Sequence, residues 1–180
     1  MTRASIASTP LLLDTVETPV GGFLLLSDSQ GLLHAADFAD CEARLLALLR
    51  RGRGAASPEM ERGAVPAALK RRLADYFAGD IRAIDSIALA PRGTDFQSVV
   101  WAALRTVPPG STLSYAGMAE AIGRPAAMRA VGHANGANPF CIIVPCHRLT
   151  GADGGLVGYS GGLARKRWLL DHERRHATPV

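Results

Sequence analysis

Apolar residues near the start of the chain fall in three short runs, residues 11–16, 22–26 and 32–38, separated by Pro19-Val20-Gly21-Gly22 and Asp28-Ser29-Gln30-Gly31. Apolar runs of this length between turn-forming clusters predict strands, here a three-stranded meander that makes a small antiparallel sheet. The spacing then changes: Leu45, Leu46, Leu48 and Leu49 give residues 39–51 a one-sided apolar face, which predicts a helix. Residues 52–66, rich in Gly and Pro, read as loop. A second helix is expected over 66–77, and an extended stretch over 87–90 ends at Pro91.

Gly93 opens a different organisation. Thr94 and Gln97 have the spacing of a capping box, so a helix should start there; Phe96, Val99, Val100, Ala103, Leu104 and Val107 follow at helical spacing until Pro108-Pro109-Gly110. Ser114 can cap a short helix through Ile122, Gly123 can end it in the left-handed region, and Pro125 can open the next helix. Helix, short Gly-containing turn, helix is the pattern of a helix-turn-helix. A last helix is expected over 162–174, with Leu163, Trp168, Leu169 and Leu170 buried. The reading is an α/β protein in two parts. Residues 1–92 form the sheet with its helices, in a ribonuclease-H-like arrangement, and residues 93–180 form a mainly helical, winged-helix-like unit.

Composition narrows the function classes. Of 180 residues, 48% are hydrophobic and 20% charged, as in a globular protein, and no apolar run approaches the length of a membrane span. The start of the chain has no signal-like apolar segment, so a cytoplasmic location is expected. Cys41, Cys141 and Cys146 form neither an even disulfide framework nor, with the five His, zinc-ligand spacings, so reduced thiols and no metal are expected. The net charge of +4 is unevenly placed. Residues 1–92 hold 11 basic and 11 acidic side chains, whereas residues 93–180 hold 9 and 5, so the whole excess belongs to the second part. A basic excess beside a helix-turn-helix points to a polyanion such as DNA.

The second helix of that pair is unusual for a reader of base edges. It carries Ala126, Ala127, Ala130, Gly132 and Ala134, with Arg129 as its only long cation. A major-groove reader would present Arg, Asn or Gln to the bases. Small residues suit close approach in a narrow space such as the minor groove, or else packing against a neighbouring helix. Further on, Cys146 stands between Pro145 and His147 after the apolar run Ile142-Ile143-Val144. Such a pair is an inert buried thiol or an activated nucleophile.

Several features together decide between these alternatives. The helix with Phe96 and Trp101, Ser114-Tyr115, Arg129-Ala130-Val131-Gly132, Asn138-Pro139, Pro145-Cys146-His147-Arg148 and Gly158-Tyr159-Ser160-Gly161-Gly162 jointly resemble the O6-alkylguanine-DNA alkyltransferases over residues 93–173. The N-terminal part is similar to that family in length and strand pattern, including Tyr76-Phe77-Ala78-Gly79.

The resemblance implies repair of double-stranded DNA by stoichiometric transfer of the alkyl group of O6-alkylguanine, with O4-alkylthymine as a second candidate substrate, and needs no cofactor and no obligate protein partner. Cys146 would be the acceptor, His147 its base acting through a water, Glu173 the carboxylate orienting His147, and Tyr115 the proton donor to a guanine ring nitrogen. Asn138, Leu149, Tyr159 and Ser160 would shape the pocket. Arg129 would fill the stack after the nucleotide is flipped into the minor-groove-facing pocket, while Ser114, Ala127, Ala130 and Gly132 meet DNA.

Met128, His133 and Cys141 depart from the family's usual choices. A non-catalytic lesion-binding relative would lack Cys146. A transcription regulator would expose base-reading side chains, and a cysteine peptidase would not need the helix-turn-helix.

Overall fold

The computed structural model describes residues 10–51 and 59–177. The three expected strands are present as β1 (Leu11–Val16), β2 (Phe23–Ser27) and β3 (Leu33–Phe38), paired antiparallel in sequence. A fourth strand, β4 (Met60–Arg62), lies in the stretch read as loop and pairs parallel with β1, so the sheet is mixed, in the order β3-β2-β1-β4. The sequence hid this strand because it is short and carries exposed Glu61 and Arg62, as a protected sheet edge often does. Residues 63–66 of the loop reading are irregular as expected, and residues 52–58 lie outside the described residues.

Side chains alternate across the sheet. Leu24, Leu26 and Ala35 face Leu45 and Leu49 of helix α1 (Glu42–Arg51), which follows a 3-10 turn at Ala39–Cys41. Phe23, Leu25, Ala36 and Phe38 face the other way, into the principal core. That core also takes Leu69, Leu73 and Tyr76 from α2 (Ala67–Ala78) and Val100, Trp101 and Leu104 from α3 (Asp95–Thr106). It continues without a break into the second part of the chain, through Met118, Val131, Val144, Cys146 and Leu169.

Helix α3 starts at the expected capping box: Thr94 Oγ1 accepts from Gln97 N, and Gln97 Oε1 accepts from Thr94 N. Val99, on the expected apolar face, is exposed.

The helix-turn-helix consists of α4 (Tyr115–Ala121), a turn with Gly123 at φ 70°, a 3-10 turn at Pro125–Ala127, and α5 (Met128–Gly136). Ser114 Oγ caps α4 by accepting from Gly117 N at 2.9 Å. The last helix, α6 (Leu163–His176), buries Lys166, Leu169, Leu170, His172 and Glu173. Two expectations for it need correction. Leu163 is 47% exposed, because it stands on the first turn where the helix leaves a loop, and Trp168 is half-buried, stacked on His172 with ring centroids 4.9 Å apart. No helix of the described residues is long and apolar enough to cross a membrane.

Candidate active site and DNA-facing helix

The outer edge of β3 is where the sheet meets the thiol segment. Ala36 N donates to Pro139 O and Cys141 N to Ala36 O, both at 2.8 Å, so residues 139–141 extend the sheet by one bridge. Asn138 fixes the bend before it. Its side chain is buried, with Nδ2 donating to Val144 O and Oδ1 accepting from Phe140 N, each at 2.9 Å. Both ends of one amide thus hold the segment that leads to Cys146. Within it Ile142 adopts φ 69°, a conformation that a β-branched residue resists and that persists only where the surroundings enforce it.

Cys146 follows, in a 3-10 turn at Cys146–Arg148, and the chain leaves along β6 (Leu149–Thr150), which pairs parallel with β5 (Leu113–Ser114). Cys146 is only 2% exposed. The influence of the Cys141 thiol draws its pKa below the ordinary value; burial opposes this, and the Asn138 side chain adds to it. Cys141 is raised well above its ordinary value, by Cys146 and by burial, and its sulfur meets Tyr159 Oη at 3.0 Å.

His147 and Glu173 are fully buried. Nε2 of His147 lies 3.0 Å from Glu173 Oε1. The carboxylate also accepts from Arg148 Nε (2.9 Å) and Nη2 (2.8 Å), from Tyr76 Oη (3.0 Å) and from Gly110 N (3.0 Å). Burial alone would push Glu173 up, but His147 and Arg148 outweigh it and hold the carboxyl far below its usual range. An ionised acceptor requires the imidazole to carry its proton on Nε2. Nδ1, which is buried and makes no hydrogen bond to any described residue, is then a lone pair. Burial pulls the His147 pKa below 6.5 despite the neighbouring carboxylate, so the ring is neutral at neutral pH.

Tyr115, at the start of α4, accepts from Asn135 Nδ2 at 3.4 Å, and the same amide donates to Cys146 O at 3.5 Å. Burial and the Cys146 charge raise its pKa, so the hydroxyl keeps its proton. On the other side, Lys166 Nζ donates to Leu149 O (2.5 Å) and Val157 O (2.7 Å), tying residues 149–157 to α6. The 159–162 turn lies on Phe38: a Cβ at Gly161 would come within 2.3 Å of that ring, which excludes any side chain there. Arg44 of α1 reaches across to Ser160 Oγ (2.8 Å) and Asn138 O (3.3 Å) while pairing with buried Asp37 (3.2 Å).

Cys146, His147, Glu173, Tyr115, Asn138, Leu149 and Tyr159 are therefore brought together through direct contacts or shared partners, with the more exposed Ser160 at the rim. Arg129 and Ala130 lie on the outer face of α5 and Ala126 in the 3-10 turn before it; all three are exposed, which rules out packing against a neighbouring helix as the reason for these two alanines. Ala127 is half-buried and Ala134 packs inward. Gly132 lies between the two regions, its missing Cβ facing the Tyr115 ring at 4.0 Å. Ser114 spends its hydroxyl oxygen on the helix cap.

A family model described as "6-O-methylguanine DNA methyltransferase, DNA binding domain" matches residues 95–175. The chain is 44% identical over 163 residues to the methylated-DNA–protein-cysteine methyltransferase of Salmonella typhimurium, covering 91% of this chain and 95% of that one. The chain belongs to the methylated-DNA–protein-cysteine methyltransferase family.

A member from Mycolicibacterium paratuberculosis is 57% identical over 106 residues, 59% of this chain and 64% of its own. Among solved members, Mycobacterium tuberculosis OGT in complex with DNA superposes with a TM-score of 0.75 at 39% identity, over 92% of this chain and 94% of that one. The enzyme from Pyrococcus kodakaraensis gives 0.63 at 25% identity, over 91% and 98%.

Sequence reasoning on this methyltransferase-family chain missed Arg44, Tyr76, Arg148 and Lys166 as supports of the site. Lys166 and Glu173 did leave a signal. They share one stripe of α6 with Leu169 and Leu170, and charges set in an apolar stripe must be paired when buried. No local pattern tied Arg44 and Tyr76 to the site, since the site residues they hold, Asn138 and Glu173, lie more than 90 residues away.

Proposed function

We propose that this chain repairs DNA by moving the alkyl group from O6 of a guanine to Sγ of Cys146, once per molecule. The observation that supports this best is the buried Cys146-His147-Glu173 arrangement, a lowered thiol beside a neutral imidazole that a carboxylate holds in one tautomer. The free Nδ1 of His147 takes the thiol proton through a water, and Glu173 stabilises the charge that the ring acquires. The thiolate attacks the alkyl carbon, the S–C bond forms as the C–O6 bond breaks, and the electron pair passes into the guanine ring. Tyr115 Oη donates to a ring nitrogen, so guanine leaves neutral.

The guanine edge has partners nearby. Leu149 O gives one lone pair to Lys166 and can offer the second to the exocyclic amine, whereas Cys146 O already accepts from Leu149 N and Asn135 Nδ2 and would have to exchange one of them. The backbone N–H of Ser160 serves O6, and Tyr159 lines the alkyl pocket.

The attacked carbon is out of reach within a stacked duplex, so the nucleotide is flipped, with Arg129 entering the stack and exposed Ala126 and Ala130 allowing close approach to the minor groove. Neither Ala126 nor Ala130 can read base edges, so binding is driven by phosphates and falls with salt.

Intact-protein mass spectrometry with peptide mapping, after mixing with a duplex containing O6-methylguanine, tests the reading. One methylene gained on the Cys146 peptide, with a burst equal to the protein concentration, is expected, since a thioether offers no leaving group for regeneration. Sustained turnover, or methylation mapped to Cys41 or Cys141, would overturn it.

A further inference from the structure

No residue that carries the proposed chemistry lies before Gly93, yet one side chain from the first part of the chain reaches into the site. Arg44 of α1 sets its guanidinium among three segments that are far apart in sequence. Nη1 lies 3.2 Å from Asp37 Oδ2 of β3, while Nη2 donates to Ser160 Oγ at 2.8 Å and to Asn138 O at 3.3 Å. Asp37 is completely buried and its other oxygen accepts from Phe38 N at 3.0 Å, so the ion pair ties the guanidinium to the sheet.

Ser160 depends on such a tie. It stands between Gly158 and the Gly161-Gly162 pair, and Gly158 and Gly162 both take positive φ. Glycine constrains its own backbone least, so the place of Ser160 is set by what grips it. The first part of the chain grips it at two atoms, Arg44 at the hydroxyl and Cys41 Sγ at the carbonyl oxygen, 3.5 Å away. The backbone N–H of Ser160, the proposed donor to O6, makes no hydrogen bond to any described residue. Asn138 is the other point of contact. Its amide holds the bend that leads to Cys146, and Arg44 takes the carbonyl of the same residue.

We propose that Arg44 is a positioning residue for alkyl transfer, which fixes the Ser160 backbone N–H and the Cys146 segment at the mutual spacing that the attack requires. As the C–O6 bond breaks, negative charge grows on O6 and the ring, and a donor speeds the step only if it already stands where that charge appears. Misplacing such a group by roughly 1 Å slows a reaction by up to about a hundredfold. A guanidinium suits the task because its nitrogens lie in one rigid plane and meet several acceptors at once, whereas a lysine ammonium is a single point on a flexible stem. The proposal rests on the alkyl-transfer reading, and adds that the first part of the chain sets the rate of that transfer.

The experiment uses the full chain and a saturating duplex containing O6-methylguanine, with burst amplitude, single-turnover rate constant and duplex affinity measured separately. Arg44→Met keeps the apolar stem and removes the guanidinium. Its rate constant should fall about tenfold to a hundredfold, with the amplitude still one equivalent and the duplex affinity that of the parent. Reaction with free O6-benzylguanine should fall by the same factor, since Arg44 acts on a base already in the pocket. Arg44→Lys, which keeps a charge beside Asp37, should remain slow. Adding Asp37→Asn to Arg44→Met should not restore the rate, because the missing hydrogen bonds rather than a stranded carboxylate are the cause.

A purely structural role would lower the amplitude through a misfolded fraction and leave the rate constant of the folded molecules unchanged, and that result would overturn the proposal. Full rescue by Arg44→Lys or by Asp37→Asn would do the same. Should Arg44→Met fold poorly, Ser160→Ala retains the backbone N–H and removes the oxygen that Arg44 holds. That variant should also transfer more slowly at unchanged amplitude, and a parental rate constant would count against the proposal as fully. Failure of the alkyl-transfer reading would show separately, as absence of methylation on Cys146 in the parent protein.

Discussion

Replacing Glu173 by Gln keeps the shape of the side chain and removes its charge. The carboxylate accepts from His147, from two nitrogens of Arg148, from Tyr76 and from Gly110 N, in a place with no solvent exposure. The amide presents one acceptor oxygen in place of two, and its NH2 group faces donors. Arg148, itself 2% exposed, is left as a buried cation whose remaining acceptor is Val107 O at 2.6 Å.

Breaking a buried pair by neutralising one partner costs about 3–5 kcal/mol, a large share of the roughly 5–15 kcal/mol that holds a domain folded. For a chain of this size each kcal/mol lowers the melting temperature by about 2–4 °C. Glu173→Gln should therefore melt roughly 6–20 °C below the parent at neutral pH, as followed by circular dichroism. Arg148→Met combined with Glu173→Gln should lose less than the two single variants added together, because neither then strands the other's charge.

The acid dependence has a definite sign. The folded pKa of Glu173 lies far below the ordinary 4.5, so its contribution is complete above about pH 4.5 and is lost only as the pH falls further towards the folded value. The gap between parent and variant should hold down to that pH and narrow beneath it. A loss under about 1 kcal/mol, or strict additivity in the double variant, would refute the view of Glu173 as the electrostatic hub of the site.

Two other outcomes follow from the site. His147 must be neutral to accept a proton and its pKa is lowered from 6.5, so the single-turnover rate constant should hold as the pH is brought down to 6.5 and decline only at more acid pH; a midpoint above 6.5 would contradict the assignment. Arg129→Ala should slow repair of duplex at least about tenfold, a loss of roughly 1.4 kcal/mol, while changing reaction with free O6-benzylguanine little, since Arg129 lies on the exposed face of α5. Equal losses on both substrates would remove its part in flipping.

Local signals in the sequence carried the elements well. The capping box at Thr94, the left-handed Gly123 and the cap at Ser114 each act within a few residues, and each is found where the spacing put it. What the sequence concealed was long-range. Strand β4 exists only because β1 offers it an edge, and the supports of Glu173 come from Tyr76, Gly110 and Arg148, three places that no local pattern joins. The candidate reactive residues could be named from their motif. The reason His147 is neutral and Cys146 lowered could not, because both depend on how deeply the fold encloses them.

The short parallel pairing of Leu113-Ser114 with Leu149-Thr150 has a mechanical consequence. It joins the residue that caps α4 to the strand that leaves Cys146, while Trp101 Nε1 holds Ala134 O of α5 at 2.9 Å. The outward helix and the sulfur are thereby parts of one rigid gauge. In the proposed reaction it is then the base, not the thiol, that travels the interval, and only a nucleotide at the point where that helix meets the duplex completes the journey.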